Sequence, residues 1–132
     1  MSETAAMTSP PGFADAALFD WLETVHADEL DQAQFGIIGF DAEGVVNLYN
    51  AYESGAAGLR PTRVLGRSLF DEVAPCMDNE LVADRFAQEP ALDVTIAYTL
   101  TLRMRPTPVH LRLLQRPGGM RAYIVLLRKV TG

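Results

Sequence analysis

Cysteine is almost missing from this chain of 132 residues: Cys76 is the only one, and there are just two histidines. An intramolecular disulfide needs a second thiol, and a structural zinc site needs a CxxC or Cys/His cluster. Both are excluded, no metal site is expected, and Cys76 requires its own explanation. Long apolar runs are lacking as well. No stretch approaches the roughly 20 residues of a membrane span. Met1-Ser2-Glu3-Thr4 has neither the basic flank nor the apolar stretch of a secretory signal, so a cytoplasmic protein with no membrane partner is expected. A surplus of positive charge is absent too. The net charge of -6 argues against general nucleic-acid binding, which sets Lys and Arg against phosphates. No GxxxxGK[ST] is present, nor a GxGxxG after a strand, so P-loop and Rossmann readings drop out. His26 and His110 have no sequence-local partner that reads as a triad, which leaves thiol-histidine catalysis without support and no enzyme expected.

What is present is the make-up of one ordinary domain, with 48% hydrophobic and 21% charged residues. The charge is unevenly placed. Residues 1–34 hold seven acids (Glu3, Asp15, Asp20, Glu23, Asp28, Glu29 and Asp31) and no Lys or Arg. Residues 94–132 hold seven basic residues (Arg103, Arg105, Arg112, Arg116, Arg121, Arg128 and Lys129) and no acid. Two readings are open: the acidic start docks on the basic strands, or both faces are separately solvated.

Residues 1–12 are small and polar, and Ser9-Pro10-Pro11-Gly12 stops any element before Phe13; this stretch is expected to be disordered. Phe13, Ala17, Leu18, Trp21, Leu22 and Val25 then recur at three- and four-residue spacing, which predicts an amphipathic helix over 13–25. A short helical turn over 28–34 completes an N-terminal cap, residues 1–34. Residues 35–41 and 45–50 read as two strands around Ala42-Glu43-Gly44. Glycines at 55, 58 and 66 and Pro61 restrict residues 51–73 to short turns. One helix is expected over 81–88, ended by Pro90. Strands over 94–103, 109–116 and 121–129 follow, the last two joined by Pro117-Gly-Gly-Met120. The fold class is therefore α+β: a five-stranded antiparallel sheet over residues 35–132, short helices on one face, the cap on the other.

Three strings in this order carry a closer likeness: Asn47-Leu-Tyr-Asn-Ala-Tyr-Glu53, Val73-Ala-Pro-Cys76 and Tyr98-Thr-Leu-Thr-Leu-Arg-Met-Arg-Pro-Thr107. From about Phe13 to Val130 the chain resembles the photoactive yellow protein family, blue-light photoreceptors with a PAS fold. The resemblance implies p-coumaric acid (4-hydroxycinnamic acid) held as a thioester on Cys76, with Tyr49 and Glu53 donating hydrogen bonds to its phenolate oxygen. It also implies a pocket lined by Ala57, Leu59, Leu69, Pro75, Tyr98, Leu100 and Met104, and an unidentified downstream signalling protein as partner. By themselves the residues are less specific. A lone cysteine is usually inert core, Tyr49 reads as a core aromatic with a wet tip, and Glu53 as an exposed helix acid.

The implied chemistry is physically coherent. A buried phenolate is costly without strong donors, and a carboxylic acid donates only while it keeps its proton, which burial beside an anion favours. Light-driven trans-cis isomerisation followed by proton transfer from Glu53 would leave a buried carboxylate, loosen the structure and release the cap. The departures are Ala57 and Leu59, where the family usually has a threonine and an arginine, Leu100 for a phenylalanine, and Tyr52 for a small residue. Arg60 offers a substitute cation or else points to solvent. The alternative is a pigment-free PAS module, sensing a small ligand or binding a protein.

Overall fold

In an antiparallel sheet successive side chains alternate between faces, so one strand serves two layers. The computed structural model describes residues 11–101 and 106–128. Residues 1–10 of the segment expected to be disordered, the pocket residue Met104, and Arg103, Arg105 and Lys129 of the basic segment lie outside the described residues. The strands are β1 (Gly36–Phe40), β2 (Val46–Tyr49), β3 (Leu92–Leu100), β4 (Thr107–Gln115) and β5 (Ala122–Arg128). They form one antiparallel sheet in the order β2-β1-β5-β4-β3. This is the expected α+β architecture, with strand ends within two residues of the expected ones where both are described.

The register sorts the strands into two faces. Gly36 pairs with Leu126 and Ile38 with Ile124; Leu113 and Leu111 of β4 pair with Ile124 and Leu126. Ile38, Ile124, Leu126, Leu111 and Leu113 belong to one buried cluster, completed by Leu69, Met77, Val82 and Leu100. The intervening residues Ile37, Tyr123, Val125 and Leu114 belong to the other, with Leu18, Phe19, Leu22, Leu30 and Phe35. Over the first face run α3 (Ala51–Ala57), a 3₁₀ turn (Pro61–Arg63), a π-helical turn (Leu69–Val73), a second 3₁₀ turn (Pro75–Met77) and α4 (Ala83–Gln88). None is longer than seven residues, as the glycine and proline spacing requires.

On the second face lie α1 (Leu18–Thr24) and α2 (Ala27–Leu30). Helix α1 starts five residues later than the periodicity over 13–25 suggests. The Asp15 side chain accepts a hydrogen bond from the Ala17 N–H (2.8 Å), closing a local turn. The carbonyls of Phe13 and Asp15 accept from the Arg112 guanidinium at 2.9 and 2.8 Å. A tertiary partner thus takes backbone acceptors that a longer helix would use.

Of the two readings of the charge asymmetry, docking holds. Arg116 pairs with Asp20 at 2.8 Å and lies over the Phe19 ring. Glu23 accepts from the Tyr123 hydroxyl (2.5 Å) and the Met120 N–H (2.9 Å). Buried Arg112 also binds both carboxylate oxygens of Asp93, each at 2.9 Å, which holds the Asp93 carboxyl below its ordinary range.

Candidate functional site

Strand β2 ends at Tyr49, and the next residue turns the chain into α3. Asn50 is fully buried. Its side-chain oxygen accepts from the N–H groups of Glu53 (3.1 Å) and Ile37 (2.9 Å), capping the helix and tying it to β1. Its amide donates to the carbonyls of Phe35 (3.0 Å) and Leu30 (3.3 Å). One side chain therefore fixes where Glu53 begins and holds the end of the cap. Asn50-Ala-Tyr-Glu53 has the spacing of a capping box, a signal that singles out Asn50 although the reading of the strings did not use it.

Glu53 is 1% exposed, not the surface acid its helical position alone suggests. Its two oxygens accept from Arg128 at 2.6 and 3.0 Å, a two-pronged pair across 75 positions of sequence. Burial works against the charged Arg128 guanidinium. The hydrogen bonds to Glu53 and the Glu53 charge outweigh it and hold Arg128 above its ordinary range. Space for the carboxylate comes from Gly36 on β1, where a Cβ would overlap Glu53 Oε1. The expected neutral donor is thus half of an ion pair in this structure. Arg128, read from sequence only as part of the basic end, is the residue that reading missed. Arg60, weighed as a substitute cation, is exposed.

Tyr49 is buried among the apolar residues of the same face. Its hydroxyl is the one buried side-chain polar atom without a hydrogen-bond partner among the described residues. Burial pushes that hydroxyl well above the usual tyrosine range, the Glu53 charge adds to the effect, and Arg128 opposes it. An orphaned buried hydroxyl costs about 1–3 kcal/mol. The fold retains one beside a buried ion pair.

Cys76 sits mid-way in the second 3₁₀ turn, half-buried against the cluster that holds Tyr49. Its carbonyl accepts from the Tyr98 hydroxyl (2.6 Å) and from the Asn79 amide (3.1 Å), and Asn79 also donates to Tyr98 (2.6 Å). Tyr98 therefore does more than line a wall: from β3 it pins the backbone that presents the thiol. Leu69, Leu100 and Ala57 are buried, and Leu59 is half-buried against the same cluster. Pro75 is exposed, so it acts on the backbone at the start of the turn and not as a pocket wall. Tyr52 is 37% exposed, which is how a bulky ring fits between Tyr49 and Glu53. Beside Leu59 a cleft of about 620 Å³ opens, with Arg60, Arg63 and Arg67 at its rim.

Residues 30–132 match the family described as the PAS fold. A photoactive yellow protein of Halochromatium salexigens is 35% identical over 95 residues, covering 70% of this chain and 76% of that protein. The photoactive yellow protein of Rhodothalassium salexigens is 31% identical over 116 residues, covering 83% of this chain and 93% of that one. The chain belongs to the photoactive yellow protein family. Among solved structures, the photoactive yellow protein domain of the sensor histidine kinase Ppr from Rhodospirillum centenum superposes with a TM-score of 0.75 at 31% identity. It covers 83% of this chain and 98% of that one. As a member of this family the chain is a PAS sensor of the photoreceptor type, and among its described residues no helix is long and apolar enough to cross a membrane.

Proposed function

We propose that the chain is a blue-light photoreceptor with p-coumaric acid bound as a thioester to Cys76. The observation that carries this reading is the Tyr49 hydroxyl, a buried donor with no acceptor. A phenolate oxygen is the missing acceptor that its position and chemistry suit, and Glu53 is the second group at hand. When bound, the coumaroyl group supplies blue-light absorption and a double bond that isomerises from trans to cis.

The chain's own residues do the rest. The Cys76 thiolate is the nucleophile toward an activated acyl donor, and Tyr98 and Asn79 hold its backbone in place. Tyr49 and Glu53 each donate a hydrogen bond to the ring oxygen, and Glu53 gives up its proton after illumination. Ala57, Leu59, Leu69 and Leu100 exclude water around the ring. A shift of Glu53 is felt at Asn50, which holds the Leu30 and Phe35 carbonyls at the end of the cap. Release of residues 1–34 from the 35–132 core then changes the surface that a downstream signalling protein reads. A histidine-kinase partner fits this scheme, since a related domain belongs to one.

The test is to mix the purified protein with an activated p-coumaroyl donor. One added coumaroyl mass and a visible band, both missing in Cys76→Ala, are expected. A colourless product of unchanged mass would instead favour the pigment-free PAS module.

A further inference from the structure

The Glu53–Arg128 pair is the least expected feature of the site, and its charge count has a consequence for the proposed photochemistry, on which this inference rests. Three ionisable groups share the space. Tyr49 closes β2, and Glu53 on α3 forms an ion pair with Arg128 at the end of β5. The remaining ring facing Arg128 is Tyr52 of α3, half in solvent. The site is neutral with one anion against one guanidinium. A ring phenolate brings a second anion. Taking both out of water with one counter-cation is costly, so one proton must be retained, and Glu53 is the group that can hold it.

We propose that Arg128 is the cation of this site, and that it receives the charge Glu53 acquires when it gives up its proton. In that step the O–H bond of Glu53 breaks, an O–H bond forms at the ring oxygen, and the electron pair stays on the Glu53 carboxylate. Nothing is oxidised or reduced. The carboxylate then takes up the two-pronged pair seen here at 2.6 and 3.0 Å. The contacts that Glu53 makes with Arg128 here are the ones this proposal gives to the carboxylate after proton transfer. The expectation that proton transfer leaves an unpaired buried charge is therefore replaced: the charge is caught, and the state that holds it is stabilised. Arg128 supplies from β5 the positive charge that Leu59 does not.

Geometry supports the assignment independently of charge. Gly36 leaves room for the Glu53 carboxylate against β1, and Gly36 pairs with Leu126, two residues before Arg128 on the same face of β5. The sheet register thus sets the guanidinium beside the carboxylate. Arg128 positions and balances charge; it is not assigned the chemistry.

Arg128→Gln and Arg128→Lys are compared with wild type after loading with the activated p-coumaroyl donor, by mass, by recovery after a flash, and by light-minus-dark infrared difference spectra. Uptake of one coumaroyl mass by all three is expected, because Cys76 is untouched. Recovery at least tenfold faster in Arg128→Gln, with Arg128→Lys between, and a shifted carboxylate stretch on illumination support the proposal. Equal uptake with recovery within twofold and an unmoved carboxylate band overturn it while leaving the pigment reading intact. No uptake by wild type sinks that reading and the proposal with it. Should Arg128→Gln fail to fold, Arg128→Lys decides alone: it keeps the charge without the fork, and recovery at least threefold faster supports the role while an unchanged rate overturns it.

Discussion

At the scale of single residues the site holds two positions whose substitution separates a functional cost from a structural one. Tyr49 leaves a hydroxyl unsatisfied in the protein without pigment, so Tyr49→Phe should raise its stability by about 1 kcal/mol. Chemical denaturation of the unloaded protein checks this. The loaded variant should lose a donor to the ring oxygen, so its visible band should move. A stabilised but spectrally unchanged variant would take Tyr49 out of the pigment site. Gly36 acts in the opposite sense. A methyl there overlaps the Glu53 carboxylate, so Gly36→Ala should cost on the order of 3 kcal/mol by forcing a buried ion pair apart. The triple variant Gly36→Ala with Glu53→Gln and Arg128→Gln should recover much of that loss, and its failure to do so would place the strain in the backbone instead. Tyr49, Glu53 and Cys76 could be singled out as candidates in the sequence because the strings around them resemble those of the family. Arg128 was not, since a cation at a strand end has no local signature and its partner lies 75 positions away.

Among the elements, the cap is the one whose attachment can be taken apart bond by bond. The amphipathic spacing of Leu18 and Leu22 was enough to find α1, and alternation was enough to find β1 to β5. The true start of α1 was hidden because it depends on Arg112, a residue of β4. Arg112 is 5% exposed, and its guanidinium satisfies two cap carbonyls and one carboxylate at once. Replacement by Met keeps the length and removes the donors. Arg112→Met should lower stability by about 2 kcal/mol, and hydrogen exchange should show protection lost first in residues 18–30. Uniform loss across the sheet would mean that Arg112 serves β4 and not the cap. The pH dependence follows from Asp93, whose carboxyl Arg112 holds below its ordinary range. A depressed folded value means a contribution fully present above the unfolded value of about 3.9 and lost as pH falls through the lower folded one. The wild-type cap should therefore stay docked at neutral pH and loosen only below about pH 4, and Asp93→Asn should remove that portion of the acid dependence. The exposed Arg116–Asp20 pair adds little by comparison, on the order of 0–1 kcal/mol.

For the molecule as a whole, the sheet is a partition with a different task on each side, and β5 belongs to both. Ile124, Leu126 and Arg128 face the candidate pigment site, while Tyr123 and Val125 face the cap. A displacement of Arg128 along β5 is therefore one residue out of phase with the surface that holds α1, and Asn50 offers a second tie at the other end of the layer. If the cap is what covers that face, removing residues 1–34 uncovers Phe35, Ile37, Leu114, Tyr123 and Val125, all buried in the full chain. Contiguous apolar patches of this kind favour association when they are exposed. The truncated chain should self-associate at micromolar concentration in sedimentation experiments where the full chain does not, and its loaded form should recover more slowly in the dark. Monodisperse behaviour matching the full chain, with recovery unchanged, would show that the cap neither shields this face nor takes part in the cycle. Association with unchanged recovery would keep the cap as a cover and remove it from the signal, leaving the side of the sheet that carries Glu53 and Arg128 as the output surface.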